Sequence, residues 1–426
     1  MNDMNDMKKK ALQLYNFELP PIELLKAGAD SLALTKSSAN PPAELGFPTQ
    51  DMKPYMLRDL IESGVFTGSR SKLTLALGKL VDGSPYVADL AQMPHLLIAG
   101  AAGTGKSVAI NCLIASILYK ATPEEVRFIL IDCKRDELGI YADIPHLLTP
   151  IVADPGAAVN VLRWAINEME NRYKKLAHRG VSNIDQYNAI LKNTRTPEDS
   201  EDDESEKPLP CLALVINELA HLMQISPGEV ETSISRLAAR SRAVGIHIIL
   251  ATQRPSADVV TGVIKANLPS RMAFKVMSKV DSRAIIDRNG AEMLAGNGDM
   301  LFAPSGTARV IRVHGAYISE KETKDIVSHL KVQGRPMYDD SVLCCSEFNG
   351  SAVSDATDRL YNDAVRIVVG EGLASKSLLR QRLGIGDDRA ARLMEIMFNN
   401  GIIASAGGSM PCEVLVDTDF LDRLEE

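Results

Sequence analysis

Apolar positions follow two rhythms along the middle of this chain. "PHLLIAG" (94–100), "RFILID" (127–132), "LPCLALVI" (209–216), "GIHIILAT" (245–252) and "SRMAFKVM" (270–277) are short, almost unbroken apolar runs, the pattern of strands buried on both faces. Between them lie longer segments with a 3.6-residue period. "SVAINCLIASILYK" (107–120) predicts an apolar-faced helix, and residues 154–180 predict a long one, with proline near the start and glycine at the end. Strands alternating with helices predict an α/β domain, a mainly parallel sheet covered on both faces, over residues 68–334. Residues 335–358 have no periodicity and read as a linker. Within 359–426, three short helical stretches precede a hairpin pattern, the order of a winged helix. In residues 1–67 only "LPPIELL" and "KPYMLRDLIESGVF" carry a pattern, too little for a complete domain.

Composition narrows the class. A chain of 426 residues with 45% hydrophobic and 24% charged residues is an ordinary globular protein of two or three domains. No apolar run approaches the roughly 20 residues that cross a bilayer, and the polar start "MNDMNDMKKK" has no signal core behind it, so a soluble, cytoplasmic chain is expected. The six cysteines show no CxxC spacing and read as reduced thiols, neither disulfide nor zinc framework. The net charge of −8 argues against a general polyanion-binding surface, but it conceals asymmetry. Seven acids crowd residues 198–206, read as a solvated loop, whereas 254–283 holds six basic residues against two acidic ones.

The sharpest chemical signal is "GAAGTGKS" (100–107), which matches G-x-x-x-x-G-K-[ST] between a predicted strand and a predicted helix. Gly100, Ala101, Ala102, Gly103, Thr104, Gly105, Lys106, Ser107 and Val108 would wrap nucleotide phosphates with backbone N–H groups at a helix N-terminus. Lys106 would reach the β- and γ-phosphates of ATP, and the Ser107 hydroxyl would ligate Mg²⁺.

The acidic half of such a site has two claimants. "RFILID" ends in Asp132, and "LALVINE" ends in Asn217-Glu218 where Asp-Glu is expected. In P-loop ATPases that carry a catalytic glutamate, a strand is inserted beside the P-loop strand, and the next strand in sequence lies farther out. The 212–218 strand therefore fits the metal-facing position better, with Asn217 near Mg²⁺ and Glu218 as the base that polarises the attacking water. Asparagine keeps an oxygen acceptor but loses the charge, weakening a charge-assisted contact. The reading is a motor with weakened hydrolysis.

Several long motifs resemble the FtsK/SpoIIIE family of double-stranded DNA translocases: "PHLLIAGAAGTGKSVAIN", "IPHLLTPIVADP", "RWAINEMENRYKKLAHRGVSNIDQYN", "LAARSRAVGIHIILATQRPSADVVTGVIKANLPSRMAFKV", "SKVDSRAIID", "GNGDML" and "RVHGAYIS". "RAARLMEIMFNNGII" resembles the family's γ winged helix. The resemblance covers about residues 68–416. It implies a RecA-like ATPase that forms a hexameric ring around duplex DNA and moves by ATP hydrolysis, acting in chromosome segregation at cell division. Asn217 and His221 both stand where the family usually has an acid. The resemblance places Gln253 near the γ-phosphate and makes Arg242 an arginine finger reaching the neighbouring subunit's nucleotide.

It also points to Arg254, Lys265, Lys279 and Arg283 as phosphate contacts in the ring's bore, whereas Arg271 and Lys275 lie in a strand pattern and read as structural or surface residues. In "DDRAARLMEIMF", Asp388, Arg392 and Glu395 share one helix face, which in the family reads the DNA sequence that orients movement. The family usually has Asn at the position of Asp388, so target specificity is expected to differ; Arg389 would contact backbone. The γ domain implies recombination or division proteins as further partners. The family's membrane-anchoring N-terminal region has no match in this sequence, and its α domain is expected only as a remnant. Two other classes fit parts of the pattern: a DNA-clamping ring that hydrolyses weakly because of Asn217, and a protein-secretion ATPase, against which the winged helix and basic loops argue.

Overall fold

A computed structural model describes residues 17–28, 54–194, 207–307, 309–343, 361–383, 386, 390, 393–394, 397–398, 402–404 and 412–416. The chain divides into two compact units, Met1–Ser346 and Glu347–Glu426. In the first, the strands are β1 (Tyr55–Met56), β2 (Thr74–Leu80), β3 (Pro85–Asp89), β4 (His95–Ala99), β5 (Val126–Ile131), β6 (Cys211–Ile216), β7 (Ile246–Thr252), β8 (Ser270–Phe274), β9 (Asp299–Ala303) and β10 (Ile311–Tyr317). They form one ten-stranded sheet in the order β3-β2-β10-β9-β8-β4-β7-β6-β5, with β1 paired to β10.

The sheet has two characters. From β8 to β5 the pairing is parallel, and every residue of β4 and β7 is buried, because helices cover both faces. From β8 to β3 it is antiparallel, through β9, β10 and β2. The first half is the sheet expected from the apolar runs. The second was not anticipated. β3 at the edge is half-buried, β2 is buried over its first five residues, and the two meet at a turn through Asp82 and Gly83, where Gly83 has a left-handed φ of 84°.

The principal helices follow their sequence punctuation. The helix Lys106–Leu118 runs directly from the phosphate-loop motif. Pro155–His178 begins with Asp154 accepting a hydrogen bond from the Ala157 amide (2.7 Å) and proline in the first turn. Residues of Tyr55–Thr67 pack into the same core, with Leu57, Leu60 and Phe66 buried, so this stretch is built onto the sheet. Among the described residues, Cys112, Cys133 and Cys211 are free thiols. Among those residues no helix is long and apolar enough to cross a membrane.

The second unit has its own core, made by Ala364, Val365 and Val368 from the helix Tyr361–Glu371, Leu379 from the helix Lys376–Leu383, and Ala390, Leu393, Met394 and Met397. The last four recur at helical spacing. β11 (Leu373–Ala374) pairs antiparallel with β12 (Cys412–Glu413). Asp388, Arg389, Arg392 and Glu395, the expected DNA-reading residues, lie outside the described residues.

Candidate nucleotide site

Parallel register brings the chemistry together. Ile131 of β5 pairs with Ile216 of β6, so Asp132 and Asn217 emerge side by side. Ala99 of β4 pairs with Thr252 of β7, so the phosphate loop begins beside Thr252, whose carbonyl accepts from the Gly100 amide at 3.3 Å. Because β7 and β6 separate β4 from β5, Asp132 is the outermost of these strand ends. The inserted-strand argument correctly places the 211–216 strand nearer the phosphate loop.

The loop itself is shaped by backbone. Gly105 has a left-handed φ of 110°, and a Cβ there would lie 2.5 Å from the Gly298 amide nitrogen. The turn Gly296-Asn297-Gly298, all three residues at positive φ, lies against the loop, and the Gly298 amide donates to the Thr104 carbonyl at 3.0 Å. A nearly buried pair anchors that turn: Arg312 clamps both oxygens of Asp299 at 3.0 and 2.7 Å. The "GNGDML" motif therefore braces the phosphate loop, a role the sequence did not disclose.

Lys106 is buried, and its Nζ makes no hydrogen bond. Burial pushes its ammonium below the usual lysine range, while Glu137 and then Glu218 pull it back up. Glu218 is also buried. Its Oε1 accepts from the Thr252 hydroxyl at 2.6 Å and its Oε2 from the Gln253 amide at 3.0 Å, so the end of β7 fixes this carboxylate. Gln253 lines a cleft with Ala101 of the phosphate loop, Arg254, Ser256, Asp258 and Met277.

The acidic side contains the largest surprise. Asn217 Nδ2 donates to Asp132 Oδ1 at 3.2 Å, while Asp132 Oδ2 accepts from the Glu137 and Leu138 amides at 3.0 and 2.9 Å. Asp132 is a buried scaffold for the following loop. The carboxylate that reaches Ser107 is Glu137, whose Oε1 accepts from the Ser107 hydroxyl at 2.5 Å. Glu137 was not among the sequence candidates, since it lies thirty positions from Ser107 and carries no motif of its own. Among the described residues no three His, Cys, Asp or Glu side chains converge as a metal cage.

Other expected residues are dispersed. Arg242 is exposed on the turn Ser241–Val244, before the start of β7, while Glu218 meets the end of that strand. A seven-residue strand is about 20 Å long, so Arg242 stands far from its own chain's phosphate loop. Arg254, Lys279 and Arg283 are exposed, the last two one turn apart on the helix Lys279–Ile286. Lys265 is different. Its Nζ binds Asp287 at 2.9 Å, and Asp287 also holds Arg271, so this lysine ties two helices together and does not stand free for a phosphate.

The comparisons agree with this geometry. The FtsK/SpoIIIE family model matches residues 56–257, and the Ftsk gamma domain model matches residues 355–417. The DNA translocase FtsK of Clostridium tetani is 44% identical over 429 residues, covering 96% of this chain and 56% of the relative. The DNA translocase SpoIIIE of Bacillus subtilis is 44% identical over 377 residues, covering 88% and 47%. The chain thus spans about half the length of these relatives. Two solved structures share the motor's fold. The pCW3 conjugation coupling protein TcpA with ATPgS has a TM-score of 0.54 at 24% identity, covering 66% of this chain and 75% of that one. The Type VII secretion ATPase EccC of Thermomonospora curvata has a TM-score of 0.56 at 21% identity, covering 70% and 36%. With both family models placed in order along it, the chain belongs to the FtsK/SpoIIIE family.

Proposed function

We propose that this chain is the motor and DNA-binding part of an ATP-driven double-stranded DNA translocase that works in chromosome segregation as a ring, with six subunits as the family resemblance implies. The observation that carries the reading is the convergence, at the ends of four adjacent parallel strands, of a phosphate loop, a buried lysine and a buried glutamate fixed by the γ-phosphate-side strand. The names of the relatives supply the substrate.

In this reading the amides of Gly100–Val108 cradle the phosphates and Lys106 binds the β/γ oxygens. The residues also fit a divalent cation: the Ser107 hydroxyl meets the Glu137 carboxylate, and buried oxygens of Asn217 and Glu137 lack hydrogen-bond partners. Mg²⁺ bound there would neutralise charge on the transferred phosphoryl group. Glu218 orients and deprotonates water, with Thr252 and Gln253 holding its carboxylate in place. Arg242, too far to act in its own subunit, completes the site of a neighbour. Arg254, Lys279 and Arg283 meet DNA phosphates without reading sequence, while Lys265 is structural. The 359–426 domain, through Asp388, Arg389, Arg392 and Glu395, binds the orienting DNA sequence, and through it recombination or division proteins.

Asn217 favours a second reading, a ring that clamps DNA under nucleotide control and hydrolyses weakly, because its amide is committed to Asp132 and brings no charge. Displacement of a third DNA strand from a triplex decides between them. ATP-dependent displacement, absent in Lys106→Ala, supports translocation; tight duplex binding without displacement supports the clamp.

A further inference from the structure

Three residues at the ends of β5 and β6 share out what one aspartate usually does, and the division is uneven. Asp132 has the charge, but its Oδ1 is taken by Asn217 and its Oδ2 by two backbone amides. Asn217 points a buried oxygen, Oδ1, that has no hydrogen-bond partner, but it has no charge. Glu137 has both. Its Oε1 already meets the Ser107 hydroxyl, and its buried Oε2 has no hydrogen-bond partner.

We propose that Glu137 supplies the carboxylate of the divalent-cation site, directly or through one bound water, in place of the charge that Asn217 lacks. The position is prepared by the fold. Asp132 receives the Glu137 and Leu138 amides, and Arg135 takes a left-handed φ of 60°, so the loop after β5 turns back over the Ser107 side. Mg²⁺ in phosphate sites takes one or two carboxylates plus phosphate, hydroxyl and water oxygens, which matches Ser107, Glu137 and Asn217 without a closed protein cage. Among the charges near Lys106, Glu137 has the strongest pull on its ammonium, ahead of Glu218.

The arrangement has a consequence of definite sign. Without a cation, the Glu137 carboxylate repels the nucleotide's phosphates; with one, it joins the shell that binds them. Glu137 therefore makes nucleotide binding depend on the metal, and removing its charge acts in opposite directions under the two conditions.

The test measures binding of a fluorescent ADP to the full chain in EDTA and in Mg²⁺, so it does not require turnover. The parent is expected to bind more tightly with Mg²⁺. In Glu137→Gln, an isostere that can still accept from Ser107, binding in EDTA should be unchanged or tighter, and the gain from Mg²⁺ should shrink by about one to two decades. Glu137→Asp, which withdraws the carboxylate by one methylene, should shrink the gain by a smaller factor; this variant carries the test if the glutamine variant does not fold. An Mg²⁺ gain equal to the parent's in a folded variant overturns the proposal. The inference rests on the phosphate-loop reading above, and the two failures are distinct: a parent that binds no nucleotide under either condition overturns that reading and this proposal together.

Discussion

In the Gly100–Val108 segment the shape is set mainly by backbone, with left-handed Gly103 and Gly105 and the Gly296–Gly298 turn lying against it, and Lys106 and Ser107 add its polar side chains. On the Asp132–Glu218 side the polar groups are side chains, held by hydrogen bonds to one another and to neighbouring strand ends. The first construction depends on the path of the chain, so a sequence reader sees it as spacing. The second depends on which side chains happen to meet, so it can lose a charge at one position and regain it from another. On the proposal above, that is how Asn217 can stand in a working site: the acid is supplied by Glu137, in the loop after β5, the strand next to the one that the motif nominates.

This contrast also explains what the sequence made legible. The parallel half of the sheet was visible because strands buried on both faces must be apolar throughout. The antiparallel half was less visible because glycine, charged and histidine positions interrupt its strands, as at Gly78, Arg312 and His314, although Asp82-Gly83 between β2 and β3 was a usable hairpin signal. Lys106, Ser107 and Glu218 were legible as candidates because motif and strand end coincide. Glu137 and Thr252 could not be found, since their roles exist only once β5, β6, β7 and the phosphate loop lie side by side. The resemblance marks Lys265 as a DNA contact, and only the folded chain shows that Asp287 pairs with this lysine.

Several changes would break or sharpen the comparison. The largest effect belongs to a group outside both halves. Arg242→Ala should bind nucleotide and duplex normally yet hydrolyse about 10³–10⁵-fold more slowly. Mixing it with Lys106→Ala subunits should restore part of the rate, because each supplies what the other lacks; mixed rings with no recovery would make Arg242 a structural residue.

Glu218→Gln and Gly105→Ala contrast the two constructions directly. The first should lower hydrolysis by about 10²–10⁴ with nucleotide affinity preserved. The second drives a methyl into Gly298 at a left-handed position, so it should abolish nucleotide binding itself. Equal loss of affinity in both, measured by titration, would erase the distinction drawn between backbone and side-chain halves.

Asn217→Asp comes next. Alone, a restored charge would raise the rate by about one to two decades. Here the new carboxylate would replace the amide that donates to Asp132 at 3.2 Å, setting two acids side by side. The variant should therefore melt at lower temperature in EDTA, recover with Mg²⁺ and nucleotide, and hydrolyse faster at limiting Mg²⁺. A melting temperature unmoved by EDTA would mean that Asp132 and residue 217 do not touch in solution.

The smallest effects separate exposed basic residues from one held in an ion pair. Charge reversal at Lys279 and Arg283 should weaken duplex binding and reduce the slope of log affinity against log salt by about 2. Lys265→Ala should leave that slope unchanged and cost about 0.2–1 kcal/mol of stability, the worth of a partly exposed ion pair. A salt slope that falls equally in both would return Lys265 to the DNA surface.

The most direct measurement is the steady-state ATPase rate of the unaltered chain with and without duplex DNA, over a range of Mg²⁺ concentrations. A motor whose missing charge is supplied by Glu137 hydrolyses ATP, is stimulated by duplex, and saturates in Mg²⁺. Tight binding of nucleotide and duplex with no hydrolysis above background at any Mg²⁺ concentration would contradict the account and leave a clamp in place of a motor.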